Sequence, residues 1–167
     1  MRTLLILDGT HHVDEALKEA SALCETGDKL TMLAISEKPP AEVIGMEPGP
    51  TMADPYTGGG IGGLASGGAE IPVLETDDDT ERRVAGELRD SLDQHKAHAD
   101  LDGLDVWTQA IVRDEPGEAV ANYVRSSDID RIVVPRSSLE HIRELLERDS
   151  GGETLDGTLA PVIVLPS

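Results

Sequence analysis

Thr3-Leu-Leu-Ile-Leu7 is an unbroken apolar run that stops at Asp8-Gly9, the pattern of a strand buried on both faces and followed by a turn. Val13, Ala16, Leu17, Ala20, Leu23 and Cys24 then recur at helical spacing, with Asp14, Glu15, Lys18 and Glu19 on the opposite face. Gly27 is expected to stop that helix. Leu30 to Ile35 reads as a second strand. Beyond Pro39-Pro40 the pattern breaks until about Asp79, so residues 39–79 read as a Gly/Pro-rich insert within one domain spanning 1–167. A second long helix is expected from Asp79 or Thr80, with Val84, Leu88 and Leu92 as its apolar stripe. Asp105–Val112 alternates less cleanly and carries more polar residues, which suits an edge strand. Pro116 opens a helix containing Ala119, Val120, Tyr123 and Val124. Arg131-Ile-Val-Val134 is a further apolar run ended by Pro135, Leu139, Ile142, Leu145 and Leu146 form a fourth helical stripe, and Pro161–Leu165 is a fifth strand.

Strands that alternate with helices predict an α/β fold with a mostly parallel sheet covered on both faces. Right-handed crossovers restrict it to a few doubly wound orders. The first and fourth strands are the most uniformly apolar and belong at the centre. The polar third strand belongs at one edge and the fifth at the other. This predicts a doubly wound five-stranded parallel sheet in the order 3-2-1-4-5. Ligands of such sheets bind beyond the carboxyl ends of the strands where the order reverses, here between the first and fourth. Two segments are therefore expected to meet at any site: Asp8-Gly9-Thr10-His11-His12 and Pro135-Arg136-Ser137-Ser138. The fifth strand leaves Val162, Ile163 and Val164 on an open edge, and a two-fold homodimer joined there would satisfy both copies.

Charge narrows the function classes. Among 167 residues, 14 Lys and Arg stand against 33 Asp and Glu, a net −19. Nucleic acid and anionic membrane surfaces both need clustered cations, so neither is expected as a partner. A single cysteine, Cys24, rules out an internal disulfide or a multi-cysteine zinc site. No apolar run approaches the ~18 residues of a membrane span, and the first strand is too short for a signal-peptide core, so a cytoplasmic location is expected. The cations are mainly Arg, Phe is absent, and aromatic residues make up 2%. That composition predicts a halophilic protein kept soluble by surface carboxylate in concentrated salt, and loss of fold in dilute buffer.

Several residues carry candidate chemistry. Gly58, Gly60 and Gly63 spell G-x-G-x-x-G, but no strand precedes them and no helix follows, so they read as surface insert, with a partner-binding arm as the alternative. His11-His12 beside Asp8 and Asp14 suits metal or acid–base chemistry; a polar helix start accounts for the pair equally well. His95 and His98, with Asp93, Asp100 and Asp102 nearby, have the spacing of a weak cation grip or of a solvated helix end. Cys24 is expected on the core face of the first helix as a buried, inert thiol. Asp77-Asp-Asp79 suits the positive end of a helix. No nucleophile elbow, HExxH, kinase set or paired catalytic carboxylate is present, so no catalytic residue and no metal ligand is assigned.

The order of these features resembles the universal stress protein family. The residues that carry the likeness are the first strand running into Asp8-Gly9-Thr10, and Leu30 to Ile35. Further along they are Arg113-Asp-Glu-Pro116 with Ala119 to Tyr123, Asp128-Ile-Asp-Arg-Ile-Val-Val134, and Pro161-Val-Ile-Val-Leu165. The likeness covers about residues 3–44 and 80–165. It implies the 3-2-1-4-5 sheet, a dimer through the last strand and an adenine-nucleotide site. That site would draw on Asp8, Gly9, Thr10, Ile35, Val134, Arg136, Ser137, Ser138, Gly151 and Gly152. Asp8 is placed to accept from adenine or ribose, and Ile35 to line the base. The chain departs from the family at the phosphate loop. ATP-binding members have a glycine-rich loop after the fourth strand, where backbone N–H groups meet phosphate. Here Pro135 removes a donor where the first glycine would stand, and Leu139 replaces the second. Gly151-Gly152 corresponds to the late glycine, with Glu153 adding like charge beside it. The expectation is a regulatory or binding module with a degenerate site and no required cofactor, favouring adenosine or AMP over tight ATP binding. The alternatives are a functional ATP or AMP binder, or slow ATP hydrolase, through Asp8, Arg136, Ser137, Ser138 and Gly151, and an enzyme on the same fold using His11 or His12.

Overall fold

In the computed structural model, which describes residues 1–9, 12–40, 43–48, 70–74, 76–150 and 153–167, the first apolar run becomes β1 (Arg2–Leu7) and leads into α1 (Val13–Ala22). There follow β2 (Lys29–Ser36), β3 (Val43–Pro48), β4 (Glu70–Leu74), α2 (Asp77–His98) and β5 (Asp105–Val112). The chain then runs through α3 (Gly117–Ser126), β6 (Arg131–Pro135), a 3-10 turn over Arg136–Ser138, α4 (Leu139–Ser150) and β7 (Val162–Leu165). It separates into two compact units, Met1–Lys38 with Glu81–Ser167, and Pro39–Thr80.

The larger unit is built on a five-stranded sheet in the order β5-β2-β1-β6-β7. Every pairing in it is parallel. Numbered among themselves, these strands give the expected 3-2-1-4-5. The core follows from alternation along β1. Leu5 and Leu7 point to one face, where Ala16, Leu17 and Ala20 of α1 and Leu92 of α2 cover them. Leu4 and Ile6 point to the other, beneath Val120 and Val124 of α3 and Ile142, Leu145 and Leu146 of α4. Leu4, Leu5 and Ile6 are wholly buried, at roughly 1.5–3 kcal/mol of transfer free energy each. Among the described residues, no helix is long and apolar enough to cross a membrane.

The smaller unit lies where the hydrophobic pattern breaks between 39 and 79, and there β3 and β4 pair antiparallel, with a register irregularity between Val43 and Gly45. Gly45 and Pro72 interrupt two short apolar runs, which hides their period in the sequence. Gly58, Gly60 and Gly63 lie outside the described residues.

Helix ends move by a few residues for local reasons. The N–H groups of Leu23 and Cys24 bond back to the Ala20 and Ser21 carbonyls at 3.1 and 3.0 Å, so α1 tightens and closes at Ala22. Gly27 does not terminate it. Its φ of +93° belongs to the next turn, where its N–H reaches the Gly103 carbonyl at 2.8 Å. Cys24 consequently lies beyond the helix and is half-buried rather than buried, as its position past the last turn dictates. The helix α2 begins at Asp77 because Thr76 caps it: the Asp79 N–H donates to Thr76 Oγ1 at 3.2 Å, and that hydroxyl donates to Asp79 Oδ2 at 2.7 Å.

Candidate functional site

The connection from β1 carries α1 to one face of the sheet, and that from β6 carries α4 to the other. The carboxyl ends of these adjacent strands thus open a crevice between them. Gly9 makes the exit from β1 at φ +78°, with Leu88 Cδ2 only 3.0 Å from where a Cβ would stand. Neither the turn nor the approach of α2 tolerates a side chain. His12 caps α1 in the left-handed region, at φ 53°, and its ring faces Glu15 at 3.3 Å.

Asp8 is the polar centre of the crevice. Its side chain is 6% exposed, and its Oδ2 lies 3.6 Å from Nδ1 of His141, in the first turns of α4. A carboxylate taken out of water requires charged or hydrogen-bonding partners. Ser138, 1% exposed, closes the 3-10 turn, and its hydroxyl has no hydrogen-bond partner among the described residues. Arg136 and Ser137 are exposed, and Arg136 makes no ion pair among the described residues.

The backbone after β6 has few donors to offer an anion. Pro135 has no N–H and holds an extended conformation, φ −63° and ψ 139°. The Ser137 N–H donates to the Ser167 carbonyl at 2.9 Å, and the Leu139 N–H to the Arg136 carbonyl. Ile35 and Val134 are fully buried among the side chains beneath α3 and α4. Thr10, His11, Gly151 and Gly152 lie outside the described residues. On the rim, Arg148 Nη1 reaches Glu37 at 2.9 Å and the Asp114 carbonyl at 3.3 Å, which ties α4 to the ends of β2 and β5. The Glu37 carboxylate holds that guanidinium above its ordinary value.

Asp8, Arg136 and Ser138 thus lie just past the carboxyl ends of β1 and β6, together with His141, which the sequence analysis does not single out. The signal was available: His141 stands three residues after Ser138 at the start of a helix, so the two project to the same side. The other candidate histidines diverge. His95 Nδ1 meets Asp14 Oδ1 at 2.6 Å, whereas His98 Nδ1 faces its own helix at the Gln94 carbonyl. Among the described residues, no group of three or more His, Cys, Asp or Glu can hold a metal ion. What the crevice presents is a buried acceptor beside an imidazole, a buried hydroxyl and one exposed guanidinium. Compared with protein-family models and with curated proteins, the sequence matches none.

Proposed function

We propose that the chain is a universal-stress-type regulatory module whose crevice takes adenosine or AMP and holds ATP only weakly. The observation that carries this reading is the loss of backbone donors at 135–139: one N–H is absent at Pro135, and those of Ser137 and Leu139 are already engaged. A triphosphate needs several such donors at once. A nucleoside needs acceptors for its amino and hydroxyl groups, a role that suits Asp8, and a monophosphate needs one cation, which suits Arg136. Calorimetric titration with adenosine, AMP and ATP, in molar KCl with Mg²⁺, tests it. Adenosine and AMP should give saturable heat. Arg136→Ala should weaken AMP about tenfold, a loss of one charge-assisted hydrogen bond, and leave adenosine unchanged. Micromolar ATP binding lost in Asp8→Ala and Arg136→Ala would overturn the weak-ATP reading. Heat with none of the three would remove the nucleoside and leave a partner-binding module.

The same proposal includes a two-fold dimer in a salt-rich environment. Its support is β7, which among the described residues pairs with β6 alone and leaves Val164 40% exposed on an apolar edge, together with the net charge of −19. Sedimentation equilibrium across a KCl series should give a dimer at molar salt and lose it as screening is withdrawn. A monomer at every salt concentration would refute the dimer.

A further inference from the structure

The opposite end of the sheet holds a second cavity, of about 250 Å³, that the proposed nucleoside site does not use. Strand register builds its floor. Arg2 of β1 pairs with Lys29 of β2, and Lys29 with Asp105 of β5; one step along, Leu4, Thr31 and Trp107 form the next row. Leu4 faces α3 and α4, so alternation puts Arg2, Lys29, Thr31 and Trp107 on that same side. Tyr123 of α3 forms the opposing wall, and Gln109 extends the floor along β5.

The lining is unlike the rest of the protein. The chain contains one Trp, two Tyr and no Phe, and its core is aliphatic. Both aromatic side chains among the described residues line this one cavity. Trp107 is 56% exposed, a large apolar surface left in water, and its indole is held in place by an N–H bond to Asp105 Oδ1 at 2.9 Å. Polar groups converge on the same space. Thr31 is 9% exposed, and its hydroxyl, the Gln109 amide and the Tyr123 hydroxyl have no hydrogen-bond partner among the described residues. Two cations stand in a chain that has 14 against 33 carboxylates. Arg2 Nη1 donates to the Ser127 carbonyl at 2.8 Å, and the ion pairs of the two cations are long: Arg2 to Asp128 at 3.4 Å, whose side chain is 86% exposed, and Lys29 to Asp105 at 3.7 Å, 49% exposed. An anion entering the cavity can replace either without stranding a buried charge.

We propose that this cavity binds a small aromatic carboxylate, with its ring against Trp107 and Tyr123 and its carboxylate at Lys29 and Arg2. The volume accommodates a single substituted ring, for which an enclosed apolar cavity of about 150 Å³ suffices. Thr31 and Gln109 supply the polar contacts that orient such a ligand. The chain provides its own reporter, because Trp107 is its only tryptophan. Titration of the full-length protein with benzoate, read by tryptophan emission, should give a saturable change. Lys29→Met should weaken it about tenfold, and Thr31→Val, which keeps the side-chain shape, about threefold. Asp8→Ala, at the other end of the sheet, should leave it unchanged. Uncharged benzamide should bind at least about tenfold more weakly than benzoate. The proposal is overturned by an emission change that never saturates, by benzamide matching benzoate, or by Thr31→Val and Lys29→Met variants of native circular dichroism that bind as the parent does.

Discussion

An arginine stands at each end of β6, Arg131 as its first residue and Arg136 just past its last, and the two live in opposite circumstances. Arg131, at the amino end, is half-buried. It donates from Nε to Thr3 Oγ1 at 2.7 Å and from Nη2 to the Leu23 carbonyl at 2.5 Å, with Cys24 Sγ at 3.6 Å. It thereby satisfies a hydroxyl inside the sheet and the carbonyl that ends α1, where a cation also meets the negative end of the helix. Arg136, at the carboxyl end, is exposed and makes no ion pair among the described residues. One guanidinium is committed to the fold and the other stands in solvent. The contrast teaches that residue type and strand position alone do not assign a role; the acceptors that surround the side chain do.

The largest effect should therefore come from the amino end. Arg131→Met keeps the aliphatic stem and removes the donors, leaving fully buried Thr3 and the Leu23 carbonyl short of partners. The expected loss is about 1–3 kcal/mol, the cost of leaving the buried Thr3 hydroxyl without its donor, since the exposed Leu23 position can turn to water. Arg136→Met should change stability by less than ~0.5 kcal/mol, as exposed substitutions do. Urea denaturation of both variants in the same high-salt buffer measures the difference, and equal losses would abolish the distinction between the two arginines.

Two glycines extend the comparison to the backbone. Gly9 and Gly27 both hold positive φ, +78° and +93°, at opposite ends of the sheet. A Cβ at Gly27 would meet nothing within 4 Å, whereas one at Gly9 would stand 3.0 Å from Leu88 Cδ2. Gly27→Ala should cost about 1 kcal/mol for the left-handed conformation alone. Gly9→Ala adds crowding against α2 and should cost about 2 kcal/mol. Thermal unfolding monitored at 222 nm ranks the two. The reverse order would mean that Leu88 yields freely and that the exit from β1 is looser than its geometry implies.

How far the sequence reached can be judged at these same positions. The continuous runs at Leu4–Leu7 and Ile132–Val134 carried the architecture, because strands buried on both faces have no polar residue to blur them, and the strand order followed. Asp8, Arg136 and Ser138 followed from the reversal of strand order alone. The losses were local. The antiparallel pair β3–β4 was hidden by Gly45 and Pro72, and Gly27 was credited with a helix end that the Leu23 and Cys24 backbone bonds had already made. The cavity beneath Tyr123 depends on the register of Thr31 with Trp107, a pairing between strands some seventy residues apart for which no short-range pattern codes.

The smallest expected effect concerns acid, and it again separates the two ends. Asp28 lies in the turn before β2, at the end of the sheet where Arg131 lies. Its carboxyl accepts from the Glu25 N–H at 2.9 Å and from the Met1 amino group at 2.9 Å, and these bonds, the backbone one foremost, hold it below the usual carboxylate value. A carboxyl depressed in the folded state binds protons more readily when unfolded. Its contribution is therefore complete above about pH 4, the unfolded value, and disappears as pH falls through the lower folded one. Asp28→Asn should accordingly melt below the parent at neutral pH, with the gap narrowing as pH drops beneath 4. A pH series of melting temperatures for the pair tests this, with Arg136→Met as the control from the carboxyl end, whose difference from the parent should not vary with pH. A gap that stays constant for Asp28→Asn would mean that the turn is held by packing and backbone bonds, and that the charge of Asp28 contributes nothing to it.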